Sequence, residues 1–154
     1  SGGTLEMTRC TLRNNHALGV IGEGGGLYTI GTTTLTDCLV ENNFASDSGG
    51  GIGIFGGTTL LTGTTRVRDN LVDIGFGGGI SVQNADLTVA DSCRVTENTA
   101  PTGQGGGIYV ESGSATLTLQ GPSGTTSPSV VDNCRENCVG TAPRCATTPV
   151  SCPP

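Results

Sequence analysis

Apolar residues along this chain come in short alternating runs rather than in helical stripes. Leu27-Tyr28-Thr29, Ile52-Gly53-Ile54, Ile80-Ser81-Val82 and Ile108-Tyr109-Val110 are four versions of one phrase. Alternation with a period of two marks a strand with one buried face. The outer residues of each phrase are therefore expected to point inward, and Tyr28, Gly53, Ser81 and Tyr109 outward. Each phrase follows a glycine triplet, and the triplets beginning at Gly24, Gly49, Gly77 and Gly105 are spaced by 25, 28 and 28 residues. A second landmark is Leu or Val followed three residues later by Asn: Leu12/Asn15, Val40/Asn43, Val67/Asn70, Val95/Asn98 and Val130/Asn133. A third is a Thr/Leu-rich extended run before each Asn, at Thr4–Met7, Thr32–Thr36, Thr58–Thr62, Leu87–Val89 and Thr116–Leu119. No segment has a helical period.

Three short β-prone stretches in a unit of roughly 27 residues fit one turn of a parallel β-helix, whereas a propeller blade needs about 40–45 residues. A leucine-rich repeat shares the length range, but its Leu-x-x-Leu-x-Leu signature is absent. The expected fold class is all-β: a single-stranded parallel β-helix of about five rungs over residues 1–133. An irregular Cys/Pro/Thr-rich cap or linker is expected over residues 134–154, because no glycine triplet follows Asn133 and four prolines from Pro143 onward oppose strand pairing.

Stacking turns one repeat into columns of like side chains. Asn15, Asn43, Asn70, Asn98 and Asn133 would form an amide ladder, donating to one neighbouring rung and accepting from the other. Arg13, Glu41 and Arg68 would form a ladder of alternating charge. Cys10 and Cys38 fall on adjacent rungs at a distance within or near disulfide range. Cys93 lies two rungs from Cys38, roughly 10 Å away by strand spacing, and is expected to be a small buried hydrophobe. The segments between Asn and the glycines vary in length: His16–Glu23, Phe44–Ser48, Leu71–Phe76 and Thr99–Gln104. Such insertions gather on one face of a solenoid, often the working face.

Composition narrows the function. Thirteen acids against seven Arg, with no Lys, give a net charge of −6. That excludes a basic nucleic-acid surface. No apolar run is long enough to span a membrane. Seven Cys point to an oxidising, extracellular compartment. The spacing of Cys134, Cys138, Cys145 and Cys152 has no paired CxxC and no His, so these four are disulfide candidates rather than zinc ligands. The chain lacks an initiating Met and opens on Ser-Gly-Gly, and is read as a piece of a longer product.

At this point the repeat carries a resemblance. Asn15-His-Ala17 before Gly24–Leu27, Asn43-Phe-Ala45 before Gly49–Ile52, and Asn98-Thr-Ala100 before Gly105–Ile108 resemble the repeats of polymorphic outer-membrane proteins and autotransporter-adhesin passengers. Asn70-Leu-Val72 departs from the pattern at its small residue. The resemblance covers about residues 4–133 and implies an extracellular right-handed solenoid. It carries little about function, since such repeats occur in adhesins, wall proteins and polysaccharide-active enzymes.

Candidate chemistry is sparse. Asp69, Glu97 and Asp132 precede the Asn column on successive turns and are weak candidates for a Ca²⁺ site. A solvated corner, where acids tolerate the turn geometry, explains them more simply. His16 stands alone, with no activated nucleophile in reach of the sequence. Thr125, Thr126, Thr147 and Thr148, near prolines, are candidate O-glycosylation sites. The Thr-rich strands suggest a hydroxyl array of the ice-binding kind. Against it, Thr-x-Thr does not recur on every repeat. The expectation is a non-enzymatic structural or adhesive surface protein without a cofactor, whose partner is a glycan or cell-surface ligand, or its own kind in head-to-tail filaments. The alternative is a polysaccharide-binding or polysaccharide-degrading β-helix, for which exposed Tyr28 and Tyr109 are the stacking candidates.

Overall fold

The computed structural model describes residues 2–111, 113–121, 129–134 and 138–139. Its strands are short and pair only in parallel, turn upon turn, in a solenoid of about four turns. Three sheets are five strands deep. The threonine sheet stacks Thr4–Thr8, Thr32–Thr36, Gly57–Thr62, Ala85–Ala90 and Thr116–Gln120. The valine sheet stacks Thr11–Arg13, Leu39–Glu41, Arg66–Arg68, Arg94–Thr96 and Ser129–Val131. The isoleucine sheet stacks Leu27–Thr29, Ile52–Ile54, Ile80–Val82, Ile108–Val110 and Cys138–Val139.

Two features differ from the expectation. Three turns hold a fourth short strand after the Asn: His16–Ala17, Phe44–Ala45 and Leu71–Val72 form a three-stranded ladder of their own. Two residues are too few to show a period in sequence. The coil also continues past residue 133, since Cys138 pairs with Ile108 and Val139 with Tyr109. Cys138 fills an inward position against the core without the glycine triplet that marks the other turns. Cys145, Cys152, Thr125, Thr126, Thr147 and Thr148 lie outside the described residues.

The core is a set of columns. Val40, Val67, Val95 and Val130 occupy one inward position of successive turns and are at most 1 % exposed. Ile52, Ile80 and Ile108 occupy another, each fully buried. Full burial of such side chains is worth about 1.5–3 kcal/mol each, which lets a chain without Trp build a core from aliphatic stacks. Cys93, 1 % exposed, fills its place as a small hydrophobe.

The asparagine ladder forms the polar spine. Nδ2 of Asn15, Asn43, Asn70 and Asn98 donates to Oδ1 of the next Asn, through Asn133, at 2.9–3.0 Å. Each of these Oδ1 atoms also accepts the main-chain N–H of the preceding Asn at 3.0 Å. Nδ2 of Asn43, Asn70, Asn98 and Asn133 also donates back one turn, to the carbonyls of Leu12, Val40, Val67 and Val95 respectively. Asn43, Asn70, Asn98 and Asn133 can therefore be buried to 1 % exposure or less without an orphaned amide.

The glycine triplet is the ladder's counterpart. Gly49 opens its triplet in the left-handed region at φ 65°. A Cβ on Gly51 would sit 2.6 Å from the Gly79 carbonyl and 2.9 Å from Asn70 Nδ2. Only a residue without a side chain leaves room for the amide of the adjoining turn, so the two motifs recur together. A further left-handed corner runs down Asn14, Asn42, Asp69, Glu97 and Asp132, with φ between 52° and 59°.

Candidate binding faces

The broadest outer surface is that of the threonine sheet, where strand register converts scattered Thr residues into columns. One outward column reads Thr4, Thr32, Thr58, Asp86, Thr116. The next reads Glu6, Thr34, Leu60, Thr88, Thr118, and the third Thr8, Thr36, Thr62, Ala90, Gln120. Ten of these fifteen outward positions are Thr. A shallow trough of about 550 Å³ runs between the first two columns, with Thr33 and Thr59 at its floor. The Thr116 hydroxyl donates to Asp86 Oδ1 and fixes that carboxylate in line. At the sheet's edge, Asp91 accepts the Thr62 hydroxyl and the Gly63 N–H, and these bonds hold its carboxyl below the usual range.

The valine sheet presents charge. Arg66 and Arg94 are register partners, and with Arg68, Thr96, Glu97 and Asp132 they line a depression of about 280 Å³. The ladder of alternating charge closes on one side only: Arg68 reaches Glu41 at 2.6 Å and Asp69 at 3.3 Å, while Arg13 makes no ion pair among the described residues.

The isoleucine sheet carries rings on its outside. Tyr28, half-exposed, stacks on Phe55 with centroids 5.1 Å apart, and Tyr109 stacks on Phe76 at 4.5 Å. Between them Ser81 is fully buried although it faces outward, and Phe55 lies over Gly53. The outward direction of this column holds; the rings add a layer above it. Phe55 and Phe76 were not legible as ring partners, because one follows a strand and the other precedes a glycine triplet.

The acid column does not converge. Asp69, Glu97 and Asp132 are left-handed corner residues, a conformation that Asp tolerates and that Glu97 adopts in line with its column. No group of three or more His, Cys, Asp or Glu among the described residues is arranged to hold a metal ion. His16 is exposed and packs at 5.8 Å against Phe44. Glu23 is pushed above the usual carboxylate range by burial, and secondarily by the charge of Asp47.

The cysteine column departs from expectation at its top. Cys10 and Cys38 are free thiols. Both lie at the corner between the strands of the threonine and valine sheets, one turn above the other. The Cys10 N–H donates to Cys38 Sγ at 3.4 Å, and the Cys38 thiol points to the carbonyls of Met7 and Thr36. Burial raises the Cys38 thiol and pushes that of Cys93 up to about 11. Cys134 and Cys138 are each disulfide-bonded.

With stacked turns, buried ladder and open outer faces established, the comparison with known families is decisive for lineage. A family model described as a right-handed β-helix region matches residues 1–147. The chain belongs to the right-handed β-helix family. No curated protein and no solved structure matches it. The β-helix family occurs among surface proteins and polysaccharide-active enzymes, so membership establishes the coil and leaves the task of this β-helix to its faces.

Proposed function

We propose that this β-helix is an extracellular structural and adhesive protein that works through its outer faces rather than by catalysis. The observation that carries the reading is the threonine sheet: a regular, open surface five strands deep, backed by a rigid aliphatic core. The resemblance of its Asn and glycine repeats to outer-membrane and adhesin passengers supports the same assignment. That Cys134 and Cys138 are each disulfide-bonded supports an oxidising compartment. End-to-end association belongs to the reading too. Leu5, Met7, Leu12 and Leu27 line the apolar cross-section of the first described turn, a surface that a further turn covers, whether of this chain's own or of another copy.

The test is co-sedimentation of the purified chain with insoluble cell-wall material, with reducing-sugar release measured in the same tubes. The expected result is retention on the pellet without sugar release. Release of sugar, or of unsaturated products from acidic polysaccharides, would replace this reading with a lyase or hydrolase. A second reading, soluble-glycan binding, is favoured by the Tyr28–Phe55 and Phe76–Tyr109 stacks, whose outer ring faces suit sugar rings. Loss of glycan retention in Tyr28→Ala and Tyr109→Ala, with wall retention intact, would favour it.

A further inference from the structure

We propose that the outer face of the threonine sheet binds ice. The inference rests on that sheet being the working surface, and it names the ligand. The sequence argues against such a surface because Thr-x-Thr is not repeated on every turn, but register rather than local spacing decides what a face displays. Thr32 pairs with Thr58, and Thr88 with Thr118, so neighbouring turns continue each other's hydroxyl rows even where a single turn breaks the pattern.

Three properties of the rows point to ordered water. Successive turns place Thr side chains about 4.8 Å apart, and alternate residues along a strand place them about 6.6–6.8 Å apart. Both spacings are close to repeats of the oxygen lattice in hexagonal ice. Thr is β-branched and stiff at χ1, so each hydroxyl and methyl is held in place before water arrives. In-register pairing also holds the rows parallel to one another across five strands.

By what it lacks, the face disfavours soluble and acidic sugars. None of its fifteen outward positions is a cation or an aromatic ring. Rings would be needed to stack on sugars, and cations to hold an acidic glycan. The trough between the first two columns offers methyl groups and hydroxyls along its length, with Thr32 and Thr34 on one turn and Thr116 and Thr118 on another. Asp86 is drawn into line by Thr116.

The experiment grows an ice hemisphere or cold finger in a dilute solution of the fluorescently labelled chain. It measures the fraction taken into ice, with crystal shape recorded in parallel. Thr34→Lys and Thr88→Lys put a mobile, strongly hydrated ammonium in the middle of the face. Thr11→Lys makes the same change on the valine sheet, where Thr11 is exposed. The wild type and Thr11→Lys should enter ice and facet it, and the two face variants should lose about tenfold or more of the partitioning, with unchanged circular dichroism. Exclusion of the wild type from ice overturns the inference. So does equal uptake of the face variants. Wall co-sedimentation is scored separately, so failure on ice with retention on walls removes the ligand and leaves the adhesive reading standing.

Discussion

Replacing Asn70 by Ala tests whether the amide ladder holds the coil together or merely fits within it. The Asn70 side chain takes part in four hydrogen bonds. It donates to the Val40 carbonyl and to Asn98 Oδ1, and it accepts from the main chain and from Nδ2 of Asn43. At roughly 0.5–1.5 kcal/mol each, their loss costs about 2–6 kcal/mol. The upper half of that range is expected, because the Asn43 N–H is left buried without its acceptor. Asn15 is the control. It is exposed, and its side chain donates a single bond, to Asn43 Oδ1, so Asn15→Ala should cost about 1 kcal/mol or less. Urea unfolding followed by far-ultraviolet circular dichroism compares the two. If Asn70→Ala is no more destabilising than Asn15→Ala, the ladder is an ornament on an aliphatic coil and the reasoning fails.

Three further outcomes follow from single side chains. The buried hydroxyl of Thr59 has no hydrogen-bond partner among the described residues, so Thr59→Val should raise the unfolding free energy measured in urea by about 1–3 kcal/mol; a decrease would contradict this. Cys93, buried and with its thiol pushed up to about 11, should resist iodoacetamide at pH 8 in the native protein and react once denatured, and native labelling at the rate of Cys10 would refute its burial. Asp91 is held below its ordinary 3.8, so its contribution is complete above that pH and lost as pH falls through the lower folded value. Asp91→Asn should therefore flatten the acid limb of the stability profile, and an unchanged limb would show that the bonds to Thr62 and Gly63 do not form in solution.

The coil was legible because stacking forces sequence into columns. Asn at a nearly fixed interval, glycine triplets and alternating Ile/Val each have one physical use in such a fold, and together they predict it. What sequence hid was relational. Thr58, Leu60 and Thr62 look like an interrupted motif until register sets them beside Thr32, Thr34 and Thr36. Asp69, Glu97 and Asp132 fall in one column by sequence, but only the backbone shows that they share a left-handed corner with Asn14 and Asn42. Cys10 and Cys38 were placed on neighbouring turns, yet stacking distance says nothing of the angle between their Cβ vectors. Phe55 and Phe76 lie outside the repeat phrase, so only the folded chain shows them capping Tyr28 and Tyr109.

Every outward and inward assignment depends on register, and register is measurable by nuclear Overhauser contacts between main-chain protons of the valine sheet. Contacts should link Val40 with Val67, Val67 with Val95, and Val95 with Val130, always in the parallel sense. Contacts between antiparallel neighbours, or a register shifted by one residue, would turn the threonine columns inward and contradict the account.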